Sequence, residues 1–363
     1  MTQISNIMKI QFHEREGLLM GFKIQTVELQ NYGNIPSFKC SDFSNINLII
    51  GENATGKTFL LKALYSAVRA MEDYKRGDDV RSMSEILPEK LRWTFQVDKL
   101  GDIVTKSASE SLYFKMETDH EENHLEYQFS QSANTKVGSV VAPEAQKEGN
   151  SIFIPAKEVL SLFSVILKSR EVDKSFGFDD TYYDLAKALR IAPSKVNDAT
   201  AVVKARQELS AVVNGKVDYD ENSGKWFYKN ESGQKFSIGA TSEGVKKISI
   251  MDRLLGNGYV NKESVLFIDE LESALHPDAI CDFLDMISYI SHEMGIQVFI
   301  STHSYFVIKK LYLIALKYPD EVACISLAKG KVPQVCNLSD GMPENSIIQA
   351  SIDLYKQEVT EVL

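Results

Sequence analysis

The chain contains 363 residues, of which 44% are hydrophobic, and its 50 acidic and 40 basic side chains give a net charge of −10. This length allows one large domain with an insertion or two ordinary domains. The acidic balance excludes a uniformly basic surface of the kind that wraps DNA, but it leaves open a local basic groove, or simply solvated helix faces, at the lysine clusters. These lysines are Lys246, Lys247, Lys309, Lys310 and Lys317.

Residues 1–20 are interpreted as an N-terminal extension. Charged side chains at residues 13–16 interrupt the apolar stretch that a secretory signal requires. The apolar runs elsewhere have the length of strands, far below the ~20 residues of a membrane span. The sequence therefore predicts a cytoplasmic protein without a membrane partner. Two interpretations of the extension stay open: Met20 is the biological start, or the segment is an arm that packs on a partner subunit.

An alternating strand at residues 21–33 precedes the most informative segment, in which an apolar strand leads directly into G-x-x-x-x-G-K-T. Gly51 and Gly56 permit the tight turn whose backbone N–H groups surround phosphates. Lys57 supplies charge to the β- and γ-phosphates, Thr58 offers a hydroxyl to Mg²⁺, and the following helix points its positive end at the same anion. The pattern predicts a nucleotide-binding loop that consists of Gly51, Glu52, Asn53, Ala54, Thr55, Gly56, Lys57 and Thr58.

Periodicity predicts the elements in the middle of the chain. We expect helices that end near Tyr74 and span about 83–93, alternating strands at 112–117 and 125–129, a strand at 151–155, helices over 157–213 and short strands over 216–238. No heptad pattern is sustained long enough for a coiled coil. His120 and His124 match the H-E-x-x-H spacing of a zinc site, but they fall between two predicted strands rather than on one helical face, so we interpret the match as accidental.

Two further strands are predicted to end in polar residues at the same sheet edge. Residues 264–268 lead into Asp269, which is expected to hold Mg²⁺, and Glu270, which is expected to accept a proton from the attacking water. The strand at 297–302 leads to His303, which is expected to sense the γ-phosphate.

A serine and a glycine, Ser242 and Gly244, open a predicted helix, and a helix N-terminus with a free hydroxyl binds anions. The segment lacks the glycine run of a second phosphate loop. We therefore interpret it as a cap on a γ-phosphate that another subunit presents.

The C-terminal part predicts a hairpin over 323–336 and a helix from Ser346. The cysteines are scattered without a C-x-x-C pair, which favours reduced, mostly buried thiols over disulfides or a zinc site. They are Cys40, Cys281, Cys324 and Cys336.

The order of these motifs resembles the ATP-binding-cassette class of ATPases, most closely at D-E-L-E-S-A-L-H, residues 269–276. The resemblance implies an α/β P-loop NTPase fold of the ABC ATPase-head type, in which helices flank a mixed central sheet, with an antiparallel β-layer and a helical insertion. It implies that Ser242 and Gly244 act in trans as the signature motif, with Glu243 and Val245 replacing its usual glycine and glutamine. It also implies a dimer-contacting D-loop that consists of Ser273, Ala274, Leu275 and His276.

The same resemblance implies ATP and Mg²⁺ as cofactors. It implies that Tyr32 lies against adenine, with a core tyrosine as the alternative, and that Gln96 links Mg²⁺ to the inserted subdomain. We predict an N-terminal extension at 1–20, an ATPase head split between 21–156 and 236–335, a mostly helical insertion at 157–235 and a helical tail at 336–363.

The ending His276-Pro277 is similar to the soluble branch that contains the overcoming-lysogenization-defect (OLD), RecF and related defence ATPases. The resemblance implies an ATP hydrolase that switches by homodimerising, or assembling further, around Mg²⁺-ATP. Since the 60 residues after His303 (363 − 303 = 60) are too few for the TOPRIM nuclease of OLD relatives, we expect a separate effector protein, as in anti-phage systems of the PARIS kind. The main alternative is a RecF- or SMC-like clamp on DNA, and a transporter motor is a third.

Overall fold

The structure is a computed structural model that describes residues 22–119, 123–193 and 200–362. The predicted extension and most of the H-E-x-x-H match, at 120–122, lie outside the described residues. The strands are β1 (Ile24–Tyr32), β2 (Ile35–Cys40), β3 (Ile46–Gly51), β4 (Leu112–Thr118), β5 (His124–Phe129), β6 (Ser139–Val141), β7 (Ile152–Ile154), β8 (Gly215–Asp220), β9 (Lys225–Asn230), β10 (Lys235–Ser237), β11 (Val265–Ile268), β12 (Gln297–Thr302), β13 (Val322–Leu327) and β14 (Gln334–Asn337). The helices are α1 (Lys57–Asp73), α2 (Met83–Phe95), α3 (Phe163–Glu171), α4 (Asp180–Arg190), α5 (Thr200–Val213), α6 (Glu243–Gly256), α7 (Pro277–Met294), α8 (Tyr305–Lys317) and α9 (Ser346–Val362).

The central sheet has six strands in the order β14-β13-β3-β12-β11-β7. Its five strands from β13 to β7 are parallel, and β14 pairs antiparallel at one edge. Every residue of β3, β11 and β12 is buried, as is typical of parallel strands that are covered on both faces. A separate antiparallel sheet has the order β2-β1-β4-β5-β6. The predicted α/β fold with a mixed sheet flanked by helices is confirmed.

Two hydrophobic cores lie on opposite faces of the central sheet, and β3 contributes to both. Leu48 and Ile50 face a core that contains helices α3 to α8, whereas Ile49 faces a second core that contains α1, α2 and the antiparallel sheet. This follows from the alternation of side chains along a strand. Helices α3 to α5 of the predicted insertion therefore pack on the same core as the central sheet.

The predicted boundary between head and tail at 335/336 falls inside β14, whose pairing with β13 places residues 336 and 337 in the central sheet. The hydrophobic first turn of α9 packs on one core, and the rest of this helix is largely exposed. None of the helices in the described ranges is long and apolar enough to cross a membrane.

A buried ion pair anchors the C-terminal half of α1. The Glu72 carboxylate is fully buried and lies 2.8 Å from the equally buried Lys147 ammonium; Arg69 contacts its other oxygen. The backbone N–H of Ser151 also donates to Glu72 at 2.7 Å. Burial alone would raise the pKa of Glu72, but Lys147 and Arg69 outweigh it and lower that pKa. Glu72 is therefore ionised, and it depends on both cations.

Replacing Lys147 by Met should destabilise the fold by about 3–5 kcal/mol, because it leaves a buried carboxylate with only one of its two cations. The matched control is Lys106→Met, which removes an exposed ion pair to Asp102 and should cost about 1 kcal/mol or less. Urea unfolding of both variants measures the difference. Equal losses of stability in the two variants would contradict the assignment.

Candidate nucleotide-binding site

The loop between β3 and α1 has the backbone conformation that its two glycines allow. Gly51 has φ 156° and Gly56 has φ 99°. A Cβ on Gly51 would lie 2.4 Å from the carbonyl oxygen of Leu327 on β13, so no side chain fits there. Thr55 closes the loop by donating its hydroxyl to the carbonyl of Glu52 at 2.9 Å. Any larger residue at Gly51 would therefore push the loop away from the sheet.

The Lys57 side chain folds back over this loop. Its ammonium donates to the carbonyls of Gly51 at 2.8 Å and Glu52 at 2.9 Å. Burial lowers the pKa of Lys57, and the carboxylates of Glu270 and Asp269 partly offset this. A phosphate would be a stronger, charged acceptor for this ammonium than the two carbonyls.

The Asp269 carboxylate, directly after β11, is the polar centre of the site. Thr58 donates its hydroxyl to both carboxylate oxygens at 3.0 Å, and the Ser301 hydroxyl on β12 also donates to this carboxylate. Hydroxyl and carboxylate oxygens are the ligands that Mg²⁺ prefers, and Mg²⁺ usually takes only one or two carboxylates beside phosphate oxygens. Accordingly, no group of three or more His, Cys, Asp or Glu side chains within the described ranges forms a metal cage. Thr58 and Asp269 fit a Mg²⁺ that a nucleotide brings with it.

Glu270 has an unusual backbone conformation that its neighbours hold in place. Its φ is 45°, a left-handed value that non-glycine residues rarely adopt. Its N–H donates to the hydroxyl of Ser301 at 3.1 Å, and its carbonyl accepts from Lys247 and from the N–H of Ser273, both at 2.9 Å. The Nδ1 atom of His303 lies 3.8 Å from the Glu270 carboxylate. The predicted base and the predicted phosphate sensor are therefore neighbours.

A cavity of about 330 Å³ opens beside the loop. Its lining contains Asn34, Asn53, Ala54, Gly56, Lys57, Thr58, Phe59, Lys62, Phe95 and Glu270. The cavity is therefore lined both by the predicted phosphate loop, with Lys57 and Thr58, and by Glu270, which is distant from that loop in the sequence.

The predicted contact of Tyr32 with adenine is wrong. The ring is completely buried, its hydroxyl bonds to that of Tyr127 at 3.0 Å, and it packs edge-on against Phe59 with 5.8 Å between ring centroids. Tyr32 is a core residue that supports Phe59, and Phe59 together with Phe95 supplies the aromatic surface of the cavity.

Gln96 follows Phe95 as the left-handed C-cap of α2, with φ 51°. Its Nε2 is buried without a hydrogen-bond partner, although buried polar groups in folded proteins are usually paired. Since Mg²⁺ binds oxygen and this atom is a nitrogen donor, the observation leaves the role of Gln96 at Mg²⁺ a prediction.

The predicted signature motif lies outside this cavity. Ser242 caps α6 by accepting from the N–H of Val245 at 3.4 Å, and it is exposed. Gly244 contacts the predicted D-loop of the same chain, since an added Cβ would lie 3.2 Å from the Ala274 oxygen and 3.4 Å from Leu275.

The predicted D-loop runs from Ser273 to the start of α7. Ala274 has φ 70°, and the largely exposed His276 caps α7 by accepting from the N–H of Asp278 at 3.3 Å. The structure therefore brings the loop, Asp269, Glu270 and His303 together, and it places the signature and D-loop motifs side by side on the surface.

Two further residues, Glu272 and Lys247, support the site. Glu272 accepts from the Thr302 hydroxyl at 2.8 Å and from the N–H of His303 at 3.0 Å, which fixes the end of β12. Lys246 and Lys247, predicted to line a groove or a solvated face, are instead both buried. Lys247 contacts the Glu270 carbonyl, and burial lowers the pKa of Lys247 to about 8, while Glu272 and other acids act to raise it.

The wild type should gain stability relative to Lys247→Met as the pH rises from about 8 to 10.5. In this window the folded chain has lost a proton that the unfolded chain still binds, so the free energy of unfolding increases with pH, by about 3 kcal/mol over the full shift. Urea unfolding of both proteins at about pH 7 and about pH 10 measures the change. The exposed Lys309→Met serves as control and should show a constant difference from the wild type; the same constancy for Lys247→Met would contradict the burial argument.

Comparison with known proteins finds RecF-like relatives over part of the chain. A 90-residue segment is 36% identical to the DNA replication and repair protein RecF of Bacillus cytotoxicus and 34% identical to that of Bacillus cereus. The matched segment covers 24% of this chain and 22% of each RecF protein, less than a quarter of their length.

Solved structures with a similar outline include the SMC head domain from Thermotoga maritima, at 13% identity and a TM-score of 0.45, and the recombination mediator protein RecF-ATPrS, at 15% and 0.44. Each covers 87% of this chain and 98% of the solved chain. A family model described as "AAA domain, putative AbiEii toxin, Type IV TA system" matches residues 46–309, which include the phosphate loop, Asp269, Glu270 and His303. Since this match spans well over half of the sequence, the chain belongs to that family of P-loop ATPases.

Proposed function

We propose that this ATPase is a molecular switch in which two copies close head-to-tail around two Mg²⁺-ATP molecules and thereby regulate a separate effector protein. The observation that carries the proposal is the division of the motifs. Lys57, Thr58 and Glu270 line one cavity, whereas Ser242 and Gly244 lie outside it on an exposed helix start. A second copy would supply the missing contacts.

Within one copy, each group has a role that follows from its position. The loop N–H groups and Lys57 would bind the phosphates, and Thr58 and Asp269 would hold Mg²⁺, which neutralises charge on the phosphate oxygens when bound. Glu270 would orient the attacking water and accept its proton. His303, 3.8 Å from Glu270 through Nδ1, would donate a hydrogen bond to the γ-phosphate.

The γ-phosphate is the part of the ligand that makes this arrangement a switch. In the proposed dimer it is bound by the loop of one copy and by the helix start at Ser242 of the other. Hydrolysis removes this shared contact, so the two states differ in their affinity for the nucleotide and for each other.

We place the switch in anti-phage defence. The match to a family described as "AAA domain, putative AbiEii toxin, Type IV TA system" supports this role. The resemblance of residues 269–277 to OLD-type ATPases supports it as well. The RecF segment favours the alternative, a DNA clamp of the RecF or SMC kind. Burial of Lys246 and Lys247 removes two cations from the basic groove that a clamp would need.

Glu270→Gln should lower ATP hydrolysis by about 10²- to 10⁴-fold while ATP binding persists, because the amide cannot accept the proton. The variant should accumulate as an ATP-dependent dimer in analytical ultracentrifugation. The control is Glu293→Gln, an exposed change on α7 that should leave both properties unaltered. Unchanged turnover in Glu270→Gln would refute the assignment of the base.

The same Glu270→Gln protein, purified from its native host, also separates the two biological roles. A co-purifying effector protein supports the regulatory switch. DNA that stimulates hydrolysis in a salt-dependent way, without such a protein, supports the clamp.

Mixing two inactive variants tests the composite site. Lys57→Ala removes the phosphate lysine, and Ser242→Arg blocks the signature position. If the sites are shared, half of the randomly formed dimers contain one intact site out of two. An equal mixture should then recover up to about a quarter of the wild-type rate, a value that is reached when the intact site works independently of the disabled one. No recovery in the mixture, with both variants folded and dimerising, would contradict the shared site.

A further inference from the structure

The β13–β14 hairpin brings together two cysteines that are twelve residues apart (336 − 324 = 12). Cys324 and Cys336 are direct partners in the antiparallel register. Opposite residues in such a ladder have Cα atoms ~4.5–5.5 Å apart, which is inside the ~4.4–6.8 Å range of disulfides. Their side chains point to the same face of the sheet, because both contact the same hydrophobic core. Strand pairing alone therefore holds the two thiols at bridging distance.

The two thiols differ in exposure: one can be reached by an oxidant from solvent, and the other is buried beside it. Cys324 is fully buried, whereas Cys336 is partly exposed on β14, the edge strand of the sheet. The Cys324 thiol donates a hydrogen bond to the Cys336 sulfur, which lowers the pKa of Cys336 to about 7 against the effects of burial and of Asp340. The same hydrogen bond and burial raise the pKa of Cys324. Cys336 is thus the more accessible of the two thiols and the one whose thiolate form is favoured, and Cys324 is the buried partner.

The other two cysteines provide an internal contrast. Cys40 lies opposite Val27 in its strand pair, and burial raises the pKa of Cys40 to about 11. Cys281 lies on α7, and desolvation raises its pKa as well. Neither has the strand-paired thiol partner that Cys336 has.

We propose that Cys324 and Cys336 form a reversible dithiol–disulfide site that hydrogen peroxide oxidises. The Cys336 thiolate attacks a peroxide oxygen, so that an S–O bond forms, the O–O bond breaks and hydroxide leaves. Cys324 then attacks the sulfenic sulfur, forms the S–S bond and expels a second hydroxide. The protons of the two thiols convert both hydroxides to water, so the peroxide takes two electrons and the two thiols lose them.

The position of this pair links it to the nucleotide loop without depending on the proposed switch. Cys324 pairs with Leu48 of β3 on its other side, and Leu327, at the end of the same strand, pairs with Gly51. A disulfide would link the edge strand β14 covalently to β13, the strand that pairs with Gly51 of the phosphate loop. The proposed modification site therefore lies on the strand, β13, whose last residue pairs with Gly51 of the nucleotide loop.

The test is peroxide treatment of the full chain, followed by thiol counting in denaturant and non-reducing peptide mapping. We expect free thiols to fall from four to two, with Cys324 linked to Cys336 and full recovery after dithiothreitol. The control Cys281→Ser should still lose two thiols. In Cys324→Ala, Cys336 should stop at the sulfenic acid, which dimedone traps, and Cys336→Ser should lose no thiols under the same treatment.

Three outcomes would overturn the proposal. They are retention of all four thiols, faster oxidation of Cys281 or Cys40 than of Cys336, and conversion of Cys336 to sulfinic acid while Cys324 stays reduced. Because mapping reads the product directly, none of these outcomes depends on ATP hydrolysis. A failure of the ATPase assignment would leave the thiol result unchanged.

Discussion

The Asp269 carboxylate is the contact on which the rest of the site depends. It accepts from Thr58 at the start of α1 and from Ser301 near the end of β12, and its own N–H donates to Ile154 on β7 at 3.0 Å. One residue thus joins three strand ends and the helix that carries the phosphate loop. Because a carboxylate accepts up to about four hydrogen bonds and also binds Mg²⁺, these contacts place the loop and the strand ends where one metal–phosphate group would meet them.

The backbone is strained directly after Asp269. Glu270 and Ala274 both have positive φ, and such residues cost on the order of 1–3 kcal/mol unless their surroundings hold them. Here the holding groups are Ser301, the N–H of Ser273 and Lys247, an amine that burial disfavours as a cation. Glu270, the residue expected to act as base, is itself strained, and it contacts a buried lysine. Both features lower the stability of the fold, and such features cluster at functional sites.

The sequence predicted what depends on local rules and missed what depends on tertiary contacts. The roles of Gly51 and Gly56 could be predicted because only glycine suits their backbone conformations. The proximity of Asp269, Glu270 and His303 could be predicted because parallel strands end at one edge of the sheet. In contrast, Tyr32 lies in the core, where it bonds to Tyr127, 95 residues away. Lys247 is buried where it donates to the carbonyl of Glu270, which only the tertiary fold brings near it. Cys324 and Cys336 looked scattered because only the hairpin register makes them neighbours.

The predicted signature motif and the predicted catalytic residues contact each other within one chain, and these contacts limit how the proposed switch would work. Gly244 packs on Ala274, and Ser273, one residue earlier, donates to the carbonyl of Glu270, which Lys247 of the signature helix also contacts. A partner that binds the exposed start of α6 cannot move it without disturbing the hydrogen bonds that hold Glu270 in its left-handed conformation. In the proposed dimer, contact of the partner with Ser242 and Gly244 of one copy would therefore change the position of Glu270 in the same copy. Hydrolysis at the two composite sites would then be coupled rather than independent.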